Sequence, residues 1–285
     1  MTSTSRSDHS IALVCLCTGK YHLFLDEWVK SAVQYLPNAD LFVLADQEPQ
    51  GETSLLVSWL PWGHMPWPHS TLHRHRALLS YRSTFERYKL LVHTDVDMTF
   101  VSRPEFPAEG IFAVSHPGYQ EPGVRGPFET RRHSAAYVPA DYTGPYVAGG
   151  VQGGITSSYL EQCMRITAWI DRDRGSGIIP IWHDESYWNR ACVDASNLSL
   201  LPSSYCSDGV NDVSAPVLIA LDKNHRFFRA TSSAERVLAR VWFHPTSVLK
   251  RQLRQTRLWR PAQLVWQVAH SRVVKRGRKS DLRRT

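Results

Sequence analysis

The sequence lacks several features that would assign it to a large protein class. Five of its 285 residues are cysteine, an odd number at scattered positions, which does not form a disulfide framework. It contains no Gly-x-Gly-x-x-Gly fingerprint and no P-loop, which argues against dinucleotide or P-loop chemistry. Its longest apolar runs, Ile11–Cys17 and Ile178–Trp182, are far shorter than the ~20 residues that span a bilayer. The polar residues 1–10 resemble no signal peptide, so we expect a cytoplasmic protein.

The positive charge of the chain is concentrated in residues 246–285. The net charge is +7, yet residues 246–285 alone carry +11, which leaves −4 for residues 1–245. We therefore predict a folded domain over 1–245 and a basic helical tail over 246–285. Tryptophans and aliphatic residues alternate with the basic residues of the tail, a pattern typical of a segment on anionic lipid at the inner face of the plasma membrane. Nucleic-acid binding is the runner-up, without a recognised module, and a solvated end is the third alternative.

Strand and helix patterns alternate along the first ninety residues. Apolar β-favouring runs predict strands over Ile11–Cys17, Asp40–Leu44 and Ser54–Leu60. Intervening patterns predict helices over about Tyr21–Tyr35 and Thr71–Tyr88. This order is typical of an α/β sheet with right-handed crossovers, the architecture of many nucleotide-binding proteins.

Two carboxylates follow the apolar residues Leu90–Val92 in the next predicted strand. Asp95 and Asp97 are separated by one residue, so along an extended chain they face one side, roughly 7 Å apart. Carboxylate and diphosphate oxygens are the ligands that Mg²⁺ and Mn²⁺ prefer, and ligands collect at the carboxyl ends of strands in open α/β sheets. The alternative is an Asx turn at the end of the strand that caps the following segment.

A second polar cluster lies in the segment Trp182–Arg190. It contains the adjacent acids Asp184 and Glu185, which repel each other when both are ionised. They fit either a functional carboxylate pair or the first turn of a helix, where the macrodipole favours negative charge. Both interpretations can hold at once.

These motifs, taken in order, resemble glycosyltransferase family 6, the family of the histo-blood-group A and B enzymes. The motifs that carry the resemblance are Thr18–Tyr21, Asp95–Met98, His116–Tyr119, Arg131–Arg132, Ala136–Pro139, Tyr146–Gly154, Trp182–Ser186 and Lys223–His225. The resemblance covers about residues 11–230. It implies a GT-A fold with a mixed, mostly parallel sheet. It also implies a retaining α-1,3-transfer of N-acetylgalactosamine or galactose from a UDP-sugar to a glycan or glycolipid acceptor, with Mn²⁺ or Mg²⁺ bound.

The resemblance also implies a role for individual residues. The nucleotide-binding residues are Leu16, Cys17, Thr18, Tyr21, Asp95, Val96, Asp97, Lys223 and Arg229. The donor-sugar residues are Arg74, Asp95, Ala148, Gly149, Gly150 and Asp184. The acceptor residues are His116, Trp182 and Asp208. The metal ligands are Asp95 and Asp97, and Glu185 is the catalytic residue, as nucleophile or as electrostatic stabiliser of the reacting centre.

Several of these assignments have alternatives. Arg76 competes with Arg74 for the donor-binding role, and Cys17 can simply pack in the core. A cluster of histidines could indicate a metal, but without matching acids or cysteines we expect a solvated, partly stacked surface; its members are His64, His69, His73 and His75. Gly150 leaves space for an acetamido group, so we predict a preference for UDP-N-acetylgalactosamine. A sugar-binding protein that has lost turnover is the alternative to an enzyme.

Overall fold

The computed structural model describes residues 11–121, 123–208, 215–223 and 225–229. The strands are β1 (Ile11–Cys17), β2 (Ala39–Ala45), β3 (Ser58–Pro61), β4 (Leu90–Thr94), β5 (Met98–Phe100), β6 (Ile111–Ser115), β7 (Val147–Ile155), β8 (Leu198–Leu201) and β9 (Leu218–Ala220). The α-helices are α1 (Leu25–Tyr35), α2 (Thr53–Leu56), α3 (His69–Leu72), α4 (Arg74–Ser80), α5 (Arg82–Phe85), α6 (Thr156–Gly175), α7 (His183–Asp194) and α8 (His225–Arg229), and Gly19–Phe24 and Ser203–Cys206 form 3₁₀ turns. Among the described residues, no helix is long and apolar enough to cross a membrane.

The chain divides into two units. The first ends at Lys223 and the second begins at Asn224, of which α8 is the described helix. The predicted domain boundary at residue 245 and the predicted basic tail over 246–285 lie outside the described residues. The side chain of Arg229, a predicted diphosphate ligand, also lies outside them, although its backbone belongs to α8.

Seven strands form one sheet in the order β3-β2-β1-β4-β7-β6-β8. Strands β3, β2, β1 and β4 are mutually parallel, β7 is antiparallel to both of its neighbours, and β6 and β8 are parallel to each other. The prediction of a mixed, mostly parallel sheet is therefore confirmed. Because only β7 is reversed, its first half, Val147–Val151, lies beside the last residues of β4 and β6.

The sheet is buried on both faces. Along β1, Leu13, Cys15 and Cys17 pack into one core cluster, and Ala12 and Val14 pack into the other. This explains why β1 reads as a continuous apolar run instead of an alternating one. Helix α1 covers the first cluster through residues such as Trp28.

Three predicted elements differ from the structure. The predicted helix over Thr71–Tyr88 is broken into α3, α4 and α5 because His73 and Tyr81 leave the helical backbone. The predicted strand over Ser54–Leu60 begins instead as α2 and becomes extended only at Val57; periodicity alone cannot separate helix from strand in so short an apolar run. The first turn of the predicted helix over Tyr21–Tyr35 is a 3₁₀ turn.

A wide bulge interrupts the pairing of β6 with β7. Ala113 pairs with Gln152, but the next residue, Val114, pairs with Ala148. The intervening residues Gly149–Val151 therefore have no partner on β6. The bulge turns the backbone of Gly149 away from the ladder, which leaves its N–H and C=O for side chains from other elements.

Candidate active site

Arg74, the first residue of α4, joins three elements at the carboxyl edge of the sheet. Its side chain is buried, with Nη1 donating to the carbonyl oxygen of Gly149 (2.6 Å) and Nη2 donating to Asp95 Oδ1 (2.9 Å). Nε lies 3.1 Å from Asp184 Oδ2, an ion pair whose angle does not meet hydrogen-bond geometry. Burial acts to lower the pKa of Arg74, but Asp184 and Asp95 outweigh it and raise that pKa. Arg74 is therefore a permanent cation shared by two carboxylates.

Arg76 lies on the outer side of the same helix. Its Nη2 pairs with Asp171 at 2.5 Å, and both side chains are about half exposed. Of the two candidate arginines, Arg74 is the one that the structure places beside Asp95 and Asp184.

Asp95 and Asp97 lie in the turn between β4 and β5. The prediction that they extend along one strand is wrong, because β4 ends at Thr94. Both still follow the carboxyl end of β4, as the sequence predicts. Between them, the side chain of Val96 is buried in the core, so only its backbone is available to a nucleotide.

Lys223 meets the second of these carboxylates. Its Nζ contacts Asp97 Oδ2, and it also lies over the ring of Tyr21, 5.2 Å from the centroid. These contacts bring together three of the predicted nucleotide-binding residues, from the segment after β1, the turn after β4 and the segment after β9.

The two carboxylates fit a divalent cation that arrives with a diphosphate. Their ion pairs use Asp95 Oδ1 and Asp97 Oδ2, so the second oxygen of each remains as a ligand. Among the described residues, no group of three or more His, Cys, Asp or Glu side chains forms a complete cage. Two carboxylates completed by phosphate oxygens is the donor set typical of Mg²⁺ in nucleotide sites, and Mn²⁺ takes the same ligands.

Glu185 is held by one donor on each carboxylate oxygen. Tyr146 OH donates to Oε1 at 2.6 Å, and the Gly149 N–H donates to Oε2 at 2.8 Å. Burial raises the pKa of Glu185 to about 7, although both hydrogen bonds act to lower it, and Asp184 adds to the rise. Asp184 and Glu185 occupy the first turn of α7, so the helix-start interpretation and the functional interpretation are compatible.

Two residues of this site were not assigned a role from the sequence. Tyr146, immediately before β7, binds Glu185, and Asn189 fastens α7 to β7. Asn189 Oδ1 accepts from the Val147 N–H (2.9 Å), while Nδ2 donates to the Val147 carbonyl (2.8 Å) and to the Glu185 carbonyl (2.9 Å). Asn189 follows Glu185 by four residues on the helix, and this spacing is the signal that could have identified it.

The glycines of β7 have two different tasks. A Cβ on Gly149 would lie 3.2 Å from Glu185, and one on Gly150 would lie 3.4 Å from Asp95 Oδ2, so both residues line the site. A Cβ on Gly153 would instead lie 2.5 Å from Phe112, and one on Gly154 would lie 2.4 Å from the Gly110 carbonyl. The second pair allows close packing within the sheet. Ala148, the other predicted donor-sugar residue, is buried and pairs with β6.

Two of the predicted acceptor residues lie at the end of β6 and at the start of α7, and the third, Asp208, follows the 3₁₀ turn Ser203–Cys206. His116 follows β6, with its ring 5.6 Å from that of Tyr146. Burial lowers the pKa of His116, while the nearby charge of Asp208 acts to raise it. Trp182 precedes α7 and is 46% exposed, which leaves its face open to a ligand.

Four of the predicted nucleotide-binding residues lie at or just after the end of β1, namely Leu16, Cys17, Thr18 and Tyr21. Leu16 is partly buried against the core, and Cys17 is fully buried, as expected if it only packs. Thr18 Oγ1 lies 3.1 Å from Nδ1 of His64. The next residue, Gly19, donates its N–H to Asp46 at the end of β2 (3.0 Å).

The four clustered histidines do not form one surface. His69 and His73 stack edge-on at 6.4 Å, as predicted for a partly stacked surface. His75, however, is fully buried, with Nε2 2.9 Å from Gln152 Oε1. The surface prediction is wrong for His75 because α4 turns it inward beside Arg74.

A family model for glycosyltransferase family 6 matches residues 64–229. The chain belongs to glycosyltransferase family 6. All of the predicted site residues except the four at the end of β1 lie within the matched range. The GT-A fold expected for this family agrees with the observed α/β architecture and its mostly parallel sheet.

Curated relatives of this family 6 chain are about a quarter identical to it. Human globoside alpha-1,3-N-acetylgalactosaminyltransferase 1 is 26% identical over 213 residues, which are 70% of this chain and 61% of the relative. The rat histo-blood group ABO system transferase 1 is 26% identical over 238 residues, 77% of this chain and 68% of the relative. The dog globoside enzyme is 27% identical over 217 residues, again 61% of its own length. The chain thus spans about three fifths of the globoside relatives.

Proposed function

We propose that this chain is a retaining α-1,3-glycosyltransferase that moves N-acetylgalactosamine, or galactose, from a UDP-sugar to a galactoside-type acceptor. The observation that carries the proposal is the junction at Arg74, which joins Asp95, Asp184 and Gly149 beside Glu185. A transferase of nucleotide sugars needs diphosphate-binding, sugar-binding and reacting groups in one place. The names of the human and dog relatives, alpha-1,3-N-acetylgalactosaminyltransferases, support the sugar and the linkage.

Glu185 is the reacting group of the proposal. In the first route its carboxylate bonds the anomeric carbon as UDP departs, and the acceptor hydroxyl then displaces the carboxylate. In the second route the carboxylate stabilises developing positive charge while the acceptor attacks from the side that UDP leaves. In both routes the departing diphosphate accepts the proton of the acceptor hydroxyl. Arg74 and Asp184, buried and paired, hold the donor-sugar hydroxyls in both routes.

Asp95 and Asp97 hold the divalent cation of the proposal, Mn²⁺ or Mg²⁺. When bound there, the cation neutralises the departing UDP and orients it. Lys223 contacts Asp97 and lies over Tyr21, so it is placed to add a second positive charge to the diphosphate. Arg229 has the same proposed task.

The acceptor of the proposal binds between His116, Trp182 and Asp208. The exposed indole of Trp182 offers a face to the apolar side of a pyranose, and His116 and Asp208 offer hydrogen bonds to its hydroxyls. The acceptor is a glycan or glycolipid precursor. We also propose a cytoplasmic enzyme that contacts the inner face of the plasma membrane through its basic tail, residues 246–285, on the basis of the tail sequence alone.

A donor screen tests this function. The chain is incubated with UDP-N-acetylgalactosamine, UDP-galactose, UDP-glucose or UDP-N-acetylglucosamine, with and without Mn²⁺, and with a galactoside acceptor. Products are identified by mass spectrometry, and their linkage and anomeric configuration by NMR. The proposal is supported if the wild-type chain forms an α-1,3-linked product and the Glu185→Gln variant does not. Calorimetric binding of UDP-sugar and acceptor without any transfer would instead identify a sugar-binding protein.

A further inference from the structure

The hydroxyl of Tyr146 is one of the two donors that hold the Glu185 carboxylate. It donates to Oε1 at 2.6 Å, and the N–H of Gly149 donates to Oε2 at 2.8 Å. With a different donor on each oxygen, the carboxylate plane cannot rotate without loss of a hydrogen bond. The Gly149 donor is fixed by the backbone of β7, so among the described residues the phenol is the side chain that sets this orientation.

The ring of Tyr146 is fixed before any ligand binds. It is 2% exposed and packs against Phe128, Tyr119 and His116, with ring centroids at 4.9, 5.3 and 5.6 Å. On its other side, a Cβ added to Gly126 would lie 2.2 Å from the ring, so no free space remains there. A side chain packed on all sides keeps one rotamer, and its hydroxyl therefore points at a fixed place.

The charges that face Glu185 come from several elements. Asp184 on the same helix acts to raise its pKa, and Arg74 from α4 acts to lower it. Tyr119 also faces Glu185, and burial raises the pKa of this phenol. Cys206 faces it too, with a thiol pKa raised to about 12. Burial likewise raises the pKa of Tyr146, so its phenol stays a donor at every pH of interest.

We infer that Tyr146 is a positioning residue for Glu185, one that orients the carboxylate and keeps a working fraction of it ionised at neutral pH. The inference rests on the proposed function, because both catalytic routes require an ionised Glu185. A carboxylate this deeply buried gains a proton easily. The phenol opposes that gain because it donates to the charged form.

The first test is the pH profile of kcat for Tyr146→Phe, which deletes the hydroxyl and keeps the ring. Loss of a hydrogen bond to a charged group raises the carboxyl pKa by about one unit or more. The acid limb should therefore move to higher pH by about one unit, with activity lost mainly below about pH 8 and largely regained near pH 9. Tyr142→Phe, from the same aromatic cluster, is the matched control and should keep the wild-type limb. An equal loss of kcat at every pH would overturn the inference.

A second measurement does not depend on turnover. The infrared C=O band of protonated Glu185, assigned by its absence in Glu185→Gln, should titrate about one unit higher in Tyr146→Phe. A fluorotyrosine at position 146, a stronger donor of nearly the same size, should move the titration the other way, and it replaces the phenylalanine variant if that variant does not fold. An unmoved titration in the folded variants overturns the inference. Absence of transfer with all four donors in the wild-type chain would refute the proposed function alone, since the titration still reports the contact.

Discussion

Arg74 opens helix α4 and Asp184 lies in the first turn of α7, yet the Nε of one stands 3.1 Å from the Oδ2 of the other. Both side chains are more than 90% buried. When one member of a buried ion pair is removed, the other is left as an uncompensated charge, and the protein loses about 3–5 kcal/mol of stability. The pair therefore fixes the position of Asp184, the proposed donor-sugar carboxylate, and also stabilises the fold.

Replacement of Arg74 by lysine should show this dependence. Lysine keeps the charge, but its single ammonium cannot reach Asp95, Asp184 and the Gly149 carbonyl at once. We expect kcat/KM to fall by about 10² or more, with a lower melting temperature. Arg76→Lys, two residues along the same helix and paired with Asp171 at the surface, is the control and should stay within about twofold. Equal losses in the two variants would contradict the assignment of Arg74.

Glu185→Gln should lower kcat and leave donor binding nearly unchanged. The glutamine keeps an oxygen for the Gly149 N–H and turns its amide to the phenol of Tyr146, so the shape of the site survives while its negative charge is lost. We expect kcat to fall by about 10² or more, measured beside donor affinity from calorimetry. If KM changes instead and kcat does not, Glu185 is a binding residue and Asp184 becomes the catalytic candidate.

Removal of metal should abolish transfer. Treatment with a chelator should reduce activity to background, and added Mn²⁺ should restore it, because Asp95 and Asp97 would hold a divalent cation that neutralises the charge of the departing diphosphate. Asp97→Asn should lose activity by orders of magnitude at saturating Mn²⁺, whereas Asp171→Asn at the surface should not. Full activity in chelated enzyme would refute the assignment of Asp95 and Asp97 as metal ligands.

Gly150 should control the choice between donors. A Cβ there would lie 3.4 Å from Asp95 Oδ2 and Met98 Sδ and 3.7 Å from Cys206 Sγ, which are ordinary contacts, so Gly150→Ala should fold normally. The unmodified enzyme should prefer UDP-N-acetylgalactosamine and use UDP-galactose detectably. The alanine should move the kcat/KM ratio towards galactose by 1–3 kcal/mol, about 10–200-fold. Gly149→Ala, which presses on Glu185, should slow both donors alike. Better use of UDP-galactose by the unmodified enzyme would overturn this preference.

The buried His75 should make the fold sensitive to acid. Burial lowers its pKa to about 4, below the value of about 6.5 in an unfolded chain. The unfolded state therefore takes up a proton that the folded state refuses, and stability is lost as pH falls from 6.5 towards 4, by up to about 3 kcal/mol from this group. Urea titrations at pH 7 and pH 5 give the free energy of unfolding that is lost between the two pH values. This loss should be smaller in His75→Phe than in the wild type, whereas His69→Gln should lose as much as the wild type. An equal loss in His75→Phe and the wild type would mean that His75 takes up its proton in the folded state.

Strands β1, β2 and β4, and the carboxylates that follow β4, could be predicted from the sequence because their signals are local. The apolar run of β1 and the carboxylates after β4 are each encoded within a few residues. The course of β7 is not encoded in this way. Its three-residue bulge depends on which residues of β6 it pairs with, and its reversed direction depends on the whole connection that precedes it.

The candidate site divides along the same line. Arg74 and Arg76 have the same chemistry and nearly the same sequence position, and only the orientation of α4 decides which one faces Asp95. Tyr146 gave no sign of a site role because its partner, Glu185, belongs to α7, a helix that meets β7 only in the folded chain. Asn189 differs, since its spacing of four residues from Glu185 on α7 is a local signal. His75 shows the same limit, since a histidine in a polar stretch gives no local sign of burial.

The three hydrogen bonds of Asn189 have a consequence for movement during turnover. Asn189 hydrogen-bonds to both backbone groups of Val147 and to the carbonyl of Glu185. These bonds hold the start of α7 against the start of β7. Glu185, Gly149 and Gly150 therefore move as one rigid block, and the gap between the carboxylate and the two glycines stays constant. In the proposed function, a segment that closes over the UDP-sugar would have to lie outside that block.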